Sequence, residues 1–168
     1  MTGSEEPERG TGANKIRVFV SYDREHDGDL YDQLSGQAAE SASRFDISAR
    51  SVERSSTDLW DEKLRGTIRD ADQVIVLCSE HTDGSDRMGT ELRLAQQEER
   101  PYLLLWGRRE LMCTKPATAK PSDTLFSWTR EILQTQLLTL RRTAEASRRA
   151  GERQRAKAGR DGPDGGSP

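Results

Sequence analysis

A short apolar strand, a polar loop and an amphipathic helix follow one another in the middle of the chain, and this succession constrains the fold more than any other stretch. Residues 73–78 (Gln-Val-Ile-Val-Leu-Cys) form an apolar, β-branched run of strand length, which is typical of a strand buried in a parallel sheet. Residues 79–86 combine glycine with serine, threonine and aspartate, which is the composition of a loop. The next segment carries Met88, Leu92 and Ala95 at helical spacing. The sequence therefore predicts a strand, a loop and a helix in this order.

Glu91 lies three residues after Met88 and four before Ala95, so the predicted helix places it on the same face as these apolar side chains. A charged carboxylate on a buried face costs free energy unless it is paired or has a functional role. Spacing alone leaves two interpretations open. Glu91 either lies at the edge of the apolar face, where it reaches solvent or pairs with an arginine, or it is a functional carboxylate turned toward the interior.

The rest of the chain alternates between apolar segments of strand length and segments with helical spacing. Further strands are predicted at residues 15–20, 45–49 and 101–106, and further helices at residues 27–40, 61–70 and 126–140. Strands that alternate with helices favour a parallel sheet covered on both faces, and therefore an α/β fold. A short chain with right-handed crossovers favours the flavodoxin-like strand order 2-1-3-4 and leaves room for a fifth strand within residues 108–124.

This strand order predicts a ligand crevice, because open α/β sheets bind ligands at the carboxyl ends of the strands where the order reverses. The reversal lies between strands 1 and 3. Residues 21–27 and 78–86 would form the two lips of the crevice, and Glu91, early in the helix after strand 3, would stand at its wall. Topology therefore favours the functional interpretation of Glu91.

Composition divides the chain into a domain and two polar ends. Residues 1–14 are polar and acidic and are expected to be a disordered leader. Residues 141–168 are expected to be a basic, Gly/Pro-rich tail that is largely disordered, although the last helix could run on through the alanines, where no apolar stripe continues. The folded domain is expected to span residues 15–140. The sequence contains neither the apolar core of a signal peptide nor a run of transmembrane length, which predicts a cytoplasmic protein with no membrane partner.

Charge and cysteine content argue against two further classes of function. The net charge of −3 argues against a protein that binds nucleic acid as a whole, although the basic tail leaves weak docking to nucleic acid or to an acidic partner open. Cys78 and Cys113 belong to no Cys-x-x-Cys or Cys/His cluster, so no metal site is predicted. His26 and His81 lie next to the predicted crevice, but a lone loop histidine is more often solvated, and neither is assigned a catalytic role.

The ordered set of motifs resembles the TIR domain (Toll/interleukin-1 receptor domain), whose fold is a flavodoxin-like sheet. Residues 17–22 (Arg-Val-Phe-Val-Ser-Tyr) are similar to its opening apolar strand followed by Ser-Tyr. A second pattern consists of an isoleucine two residues before a small residue, an apolar strand, a serine and, six residues after the serine, Glu-Leu. It is matched by Ile68, residues 74–77, Ser85, Glu91 and Leu92, with the small residue, Ala71, one place further on than in the pattern. More narrowly, residues 19–23 and 80–82 are similar to bacterial TIR-like proteins, including those of Thoeris antiphage defence.

The resemblance implies an enzyme that cleaves NAD at the nicotinamide–ribose bond, with Glu91 in the slot of the catalytic glutamate. The product would be ADP-ribose if water attacks, and a cyclic ADP-ribose isomer if the adenine or another ribose atom attacks. NAD would be the substrate, and no separate cofactor is implied. A carboxylate near a helix N-terminus is expected to stay ionised, as stabilisation of a cationic transition state requires.

Further residues are candidate contacts to NAD: Ser21, Tyr22, Asp23, Arg24, Trp60 and Ser85. Hydroxyls suit ribose or phosphate, the Arg24 guanidinium suits the pyrophosphate, and Trp60 could stack on a base. Structural alternatives stand beside these roles. Ser21 and Tyr22 could simply end strand 1, and Arg24 could be solvated. Trp60, at the entry of a helix, could belong to the core.

The sequence departs from the TIR pattern in two places. Arg87 and Met88 occupy slots where TIR enzymes commonly have tryptophan and cysteine or valine, and residues 51–59 lack the usual Pro-Gly signature. TIR enzymes generally complete the site with a loop from a neighbouring domain, and residues 51–59 are the candidate for this self-association. The alternative functions are a non-enzymatic adaptor that acts by TIR–TIR assembly and a nucleotide sensor without turnover. An effector that senses NAD or cyclic ADP-ribose would be the expected downstream partner.

Overall fold

The computed structural model of the protein describes residues 15–52 and 59–160. Five parallel strands form one sheet in the order β2-β1-β3-β4-β5. The strands are β1 (Ile16–Ser21), β2 (Phe45–Arg50), β3 (Gln73–Cys78), β4 (Tyr102–Trp106) and β5 (Leu125–Ser127), and the helices are α1 (Gly28–Ala38), α2 (Trp60–Arg69), α3 (Asp86–Gln97) and α4 (Arg130–Arg160). The predicted fold class, a flavodoxin-like parallel α/β sheet, is confirmed.

The central strand is β3, as its unbroken apolar run predicts. All six of its residues are buried, and it pairs with β1 on one side and β4 on the other. Strand β2 lies at one edge and shows a different pattern, in which exposed Asp46, Ser48 and Arg50 alternate with less exposed residues. The register between β1 and β2 shifts once, between Val18 and Phe19.

Helices cover both faces of the sheet, and successive strand residues point to opposite faces. One core contains Val18, Val20, Ile75 and Leu77 from the strands, Leu30 and Leu34 from α1, and Leu133 and Leu137 from α4. The second core contains Phe19, Val74 and Val76 from the strands, Leu64 and Ile68 from α2, and Met88, Leu92 and Ala95 from α3. Helix α3, which carries Glu91, therefore packs on the same face of the sheet as Phe19.

The fifth strand lies later in the chain than predicted. β5 covers residues 125–127, just beyond the predicted window of residues 108–124, and it takes up residues that the helical spacing had assigned to the last helix. Helix α4 begins at Arg130 because Thr129 caps it, with its hydroxyl accepting a hydrogen bond from the Ile132 N–H at 3.0 Å. A three-residue strand is too short to show a pattern of its own.

The last helix also continues far beyond residue 140, where the predicted domain ended. α4 has 31 residues, a length of about 46 Å. The prediction of a largely disordered tail from residue 141 is therefore wrong for residues 141–160, which we call the arm. Within the described part of the chain, no helix is long and apolar enough to cross a membrane.

Three predictions fall outside the described residues. They concern the leader at residues 1–14, most of the self-association loop, at residues 53–58, and the end of the tail at residues 161–168.

Candidate active site

The ends of two neighbouring strands and the second turn of a helix bring three side chains together. Ser21 is the last residue of β1, Ser51 directly follows β2, and Glu91 lies in α3. The hydroxyls of Ser21 and Ser51 each donate a hydrogen bond to Oε1 of Glu91 at 2.6 Å. All three side chains are fully buried, with a relative exposure of 0%. The two hydroxyls hold the carboxylate at the carboxyl edge of the sheet.

Helix α3 places Glu91 there because its start is fixed and its apolar face is buried. The side chain of Ser85 caps the helix by accepting a hydrogen bond from the N–H of Met88 at 3.3 Å. Met88, Leu92 and Ala95 are completely buried, as their spacing predicts. Glu91 shares their environment, so it does not lie at the edge of the apolar face or pair there with an arginine.

The second carboxylate oxygen of Glu91 has no partner among the described residues. This oxygen, Oε2, is buried and accepts no hydrogen bond. Arg87, one turn earlier in α3, directs one guanidinium nitrogen to the carbonyl of Val52 at 2.7 Å. A buried acceptor without a donor costs about 1–3 kcal/mol, which a ligand hydroxyl could recover by donating to it.

Burial raises the pKa of Glu91 from 4.5 to about 7, while the hydrogen bonds from Ser21 and Ser51 and the charge of Arg87 act in the opposite direction. Sequence reasoning expected the helix N-terminus to keep this carboxylate ionised. Desolvation outweighs that effect, because the loss of water penalises the charged form of a carboxyl group. At neutral pH the group is therefore divided between its acid and its carboxylate forms.

An apolar pocket lies on the same face of the sheet as Glu91. It has a volume of about 380 Å³ and is lined by Phe19, Ala49, Arg50, Val52, Trp60, Lys63, Leu64 and Thr67. Trp60, the first residue of α2, is 7% exposed and packs with the second core. The pocket is in the size range of ligand sites, and its aromatic walls suit a flat ring.

The loops after β1 and β3 face each other across a second cavity, which we call the acidic cleft. It has a volume of about 490 Å³ and is lined by Asp23, Glu25, His26, Glu80, His81, Asp83, Gly84, Ser85, Asp86 and Arg87. The rings of His26 and His81 stack at 4.1 Å between centroids. The ring of His26 donates a hydrogen bond to the Asp23 carboxylate at 3.0 Å, and this bond raises the pKa of His26. The cleft lies between the two loops that the strand order predicts as the lips of a crevice, but Glu91, which was expected at the crevice wall, is fully buried and does not line it.

Asp23, Glu25 and His26 could together hold a metal ion, since one ligand atom of each lies within 4.8 Å of the others. The oxygens of Asp23 are already engaged, however. One accepts a hydrogen bond from the N–H of Glu25 at 2.9 Å and the other contacts the ring of His26. Glu25 and His26 are both exposed, and we therefore do not propose a metal site at these three residues.

A buried ion pair, which sequence reasoning missed, joins the loops behind the cleft. Asp27 stands at the N-cap position of α1, but its side chain makes no capping hydrogen bond. It instead accepts hydrogen bonds from the Ser79 hydroxyl at 2.6 Å and from Arg108 at 2.7 Å. Arg108 also contacts Asp29 at 2.6 Å. Residues 81 positions apart meet here, and no local sequence pattern reports such a contact.

The remaining predicted NAD contacts lie in different surroundings. Tyr22 is buried on the opposite face of the sheet, where it stacks on Tyr31 at 5.0 Å. Arg24 is exposed and forms no ion pair or hydrogen bond with the described residues. Asp23 and Ser85 both line the acidic cleft. The structure therefore brings Ser21 to Glu91 directly and Trp60 to the same face, and it separates Tyr22 from both.

Ser51 was not singled out from the sequence, although one signal pointed to it. Strand β2 runs parallel to β1, and Val20 pairs with Arg50. The residues that follow this pair, Ser21 and Ser51, must then lie side by side at the same edge of the sheet. The predicted strand order together with the strand ends would have found it.

A comparison with protein families matches residues 19–109 to the family described as Thoeris protein ThsB, TIR-like domain. The match covers more than half of the chain and runs from β1 to the loop after β4. It includes Ser21, Ser51, Glu91 and the acidic cleft. No curated protein matches the chain.

Proposed function

Because this chain belongs to the family of Thoeris ThsB TIR-like domains, we propose that it cleaves NAD at the nicotinamide–ribose bond with Glu91 as the catalytic carboxylate. The observation that carries the proposal is the environment of Glu91. It is fully buried and held by two serine hydroxyls through one oxygen, while the other oxygen has no hydrogen-bond partner among the described residues. Such an arrangement is stabilising only if something else engages the carboxylate.

The chemistry of NAD suits a single carboxylate. Nicotinamide in NAD is a cationic leaving group that departs neutral with the bonding electron pair, so no acid has to protonate it. Positive charge develops on the ribose as the bond breaks, and a carboxylate stabilises that charge. Water then adds to the ribose to give ADP-ribose, or a nucleophile of the same molecule adds to give a cyclic isomer. In both cases the attacking group loses a proton.

The chain's own residues supply the positioning. Oε2 of Glu91 is the free acceptor for a ribose hydroxyl, while Ser21 and Ser51 fix the carboxyl group. The apolar pocket beside Phe19 and Trp60 suits a planar base. Since burial raises the pKa of Glu91 to about 7, and the reaction uses the ionised form, turnover should rise as the pH passes through neutrality.

For this mechanism NAD has to reach the buried carboxylate of Glu91. Glu91 has a relative exposure of 0%, so NAD can reach it only if the surrounding side chains move. The contact between Arg87 and the carbonyl of Val52 joins α3 to the segment after β2 across this region. The same burial favours the second candidate function, a non-enzymatic TIR module that acts through assembly and uses Glu91 as a structural group.

Nicotinamide release by Glu91→Gln tests the proposal. The variant keeps the size of the side chain and removes its charge, so turnover should fall by a factor on the order of a hundred or more. NAD binding should be less affected, because the charge acts mainly in the transition state. Glu131→Gln, at an exposed glutamate in the first turn of α4, is the matched control and should retain activity.

Chromatography of the products distinguishes ADP-ribose from a cyclic isomer, and hence what a downstream effector would sense. Equal turnover of the wild type and of Glu91→Gln would reject Glu91 as the catalytic group. No release of nicotinamide from either protein, across pH and protein concentration, would favour the assembly module. NAD binding without release would favour a sensor.

A further inference from the structure

Charge is divided unevenly between the arm and the rest of the chain. The arm, residues 141–160, contains eight basic and two acidic residues and so carries a net charge of +6. The whole chain has a net charge of −3, which leaves −9 for all other residues. Seven of the eight basic residues are arginines, the side chain best suited to bind carboxylates through two hydrogen bonds.

Most basic side chains of the arm form no ion pair with the described residues. Those that are exposed and form no ion pair with that part of the chain are Arg142, Arg148, Arg149, Arg153, Arg155 and Lys157. They are held on one helix that continues without a break from the buried residues Leu133 and Leu137. The arm is thus a continuous helix with a strongly basic surface, most of whose charged side chains are unpaired within the described residues.

The arm projects from the amino edge of the sheet. Helix α4 begins after β5, at the carboxyl edge, and runs back along the sheet. At Leu137 its carbonyl accepts a hydrogen bond from the side chain of Gln73, the first residue of β3, at 2.8 Å. The groove beside residues 141–148 is lined by Lys15, Asp72 and Pro101, which precede strands. Everything beyond this groove extends away from the carboxyl edge.

The acidic cleft lies at the opposite, carboxyl edge, since it is built by the loops that follow β1 and β3. Five carboxylates line it. Asp23 contacts His26, and Glu80 lies 3.4 Å from Arg108, but Glu25, Asp83 and Asp86 are exposed and form no ion pair with the described residues. A strand of six residues separates the two edges by about 20 Å. Because the helix is continuous, the arm cannot fold back into the cleft of its own chain.

We propose that the arm of one copy binds the acidic cleft of a second copy, so that the chains assemble head to tail. The occupant follows from charge, because six exposed basic side chains of the arm and a cleft with exposed carboxylates lie at opposite ends of the described part of the chain. Two different surfaces meet in such a contact, and the assembly therefore grows into a ring or an open filament rather than closing as a symmetric pair. The proposal requires no residue of the predicted self-association loop at residues 51–59.

The contact would also touch the helix that carries Glu91. Ser85, Asp86 and Arg87 line the acidic cleft and form the start of α3. An arginine of the arm that binds Asp86 would therefore lie against the first turn of this helix. The proposal stands on charge and geometry and does not require NAD cleavage.

Salt dependence is the first test. Sedimentation of the full chain at a concentration of tens of micromolar should show oligomers at roughly 50 mM salt and a monomer at roughly 500 mM salt, because exposed charge pairs are screened over that range. A protein that remains monomeric at low salt would overturn the proposal.

Two charge-reversed variants test the surfaces. The arm variant is Arg148→Glu/Arg149→Glu/Arg153→Glu, and the cleft variant is Glu25→Lys/Asp83→Lys/Asp86→Lys. Each should be monomeric alone, and an equimolar mixture should form one-to-one pairs, since the intact arm of the cleft variant then meets the intact cleft of the arm variant. The matched control Arg44→Glu/Arg93→Glu/Arg109→Glu makes the same charge change as the arm variant at exposed sites elsewhere and should still assemble.

Thermal unfolding confirms that each variant is folded before it is compared. An arm variant that assembles like the wild type, or a mixture that stays monomeric, would overturn the proposal. Loss of assembly in the control would also overturn it, since net charge alone would then explain the result. If short duplex DNA binds the wild type but not the arm variant, while assembly is equal in both, the arm is a nucleic-acid surface instead.

Discussion

The two oxygens of Glu91 have opposite surroundings, and the ends of the strands explain why. Ser21 and Ser51 end up side by side because their strands are neighbours, so both hydroxyls reach the same oxygen at 2.6 Å. The other oxygen, Oε2, accepts no hydrogen bond from the described residues. A carboxyl group held in this way is fixed in position. It can still gain or lose a proton near neutral pH, because burial raises its pKa to about 7.

The raised pKa predicts how stability depends on pH. The folded protein holds the proton of Glu91 more tightly than the unfolded chain, so this group contributes stability below pH 4.5 that is lost as the pH rises through about 7. The loss is on the order of 3 kcal/mol. Glu91→Gln removes this dependence. Its free energy of unfolding, measured in urea, should therefore exceed that of the wild type by a growing margin from pH 4.5 to pH 8.

Glu131→Gln provides the comparison for this series, because it removes a carboxylate that is exposed. It should follow the wild type at every pH. A constant difference between Glu91→Gln and the wild type across the range would contradict the raised pKa. A variant that is less stable than the wild type at pH 8 would show that the fold needs the ionised carboxylate.

At the scale of elements, β4 ends in a close contact that requires glycine. The N–H of Gly107 donates to the carbonyl of Cys78 at 2.8 Å, which ties the end of β4 to the end of β3. A Cβ atom at this position would lie 2.5 Å from a methyl group of Leu30 and 2.7 Å from that carbonyl oxygen. The next residue, Arg108, can reach buried Asp27 only because the backbone passes this point.

Gly107→Ala should therefore destabilise the protein by about 1–3 kcal/mol, since the added methyl group meets backbone that cannot move aside. Gly36→Ala is the matched control. Gly36 lies in helix α1, and a Cβ atom at this position would meet nothing within 4 Å. Alanine at this position should therefore stabilise the protein by up to about 1 kcal/mol. Urea unfolding of both variants measures the difference. Equal stability of the two would show that Leu30 and the strand ends adjust to the methyl group.

Strands and helices could be predicted from the sequence where the spacing of their apolar residues shows which side is buried. Strand β3 and helix α3 lie where their apolar residues predict, because both are defined by what they bury. Strand β5 was misplaced, since three residues hold no pattern. The arm was missed for another reason: it has no apolar stripe, yet arginine, alanine, glutamate and glutamine favour a helix by themselves once the packed turns before residue 141 have started it.

At the scale of the whole molecule, strand order was the most productive inference. It located the cleft between the loops after β1 and β3, but it placed Glu91 at the wall of that crevice, whereas the side chain is fully buried and does not line the cleft. Contacts that depend on the path of loops were not predictable, and the pair of Asp27 and Arg108 is the clearest example. The position of Ser51 beside Glu91 could have been predicted from the strand order, although no sequence motif marks this residue.

We predict that the two ends of the chain outside the described residues are not needed for folding. Residues 1–14 and 161–168 offer almost no apolar side chains to bury, so removing both should change Tm by less than about 3 °C. A further deletion back to residue 130 should abolish folding, because it removes Leu133 and Leu137 from the first core. Calorimetry of the two truncated proteins tests this. A large fall in Tm for the shorter deletion would show that one end docks on the domain.

The edge strand β2 has a consequence for how copies of this protein meet at high concentration. An open sheet exposes unpaired backbone N–H and C=O groups at its rim, which invite a strand from another molecule and lead to aggregation. Here Asp46 and Arg50 put charges of both signs along that rim, and the shift between Val18 and Phe19 bends the pairing beside it. Addition of a strand from another molecule at this edge is therefore disfavoured. Contacts with other molecules at this edge then depend on side chains rather than on backbone hydrogen bonds.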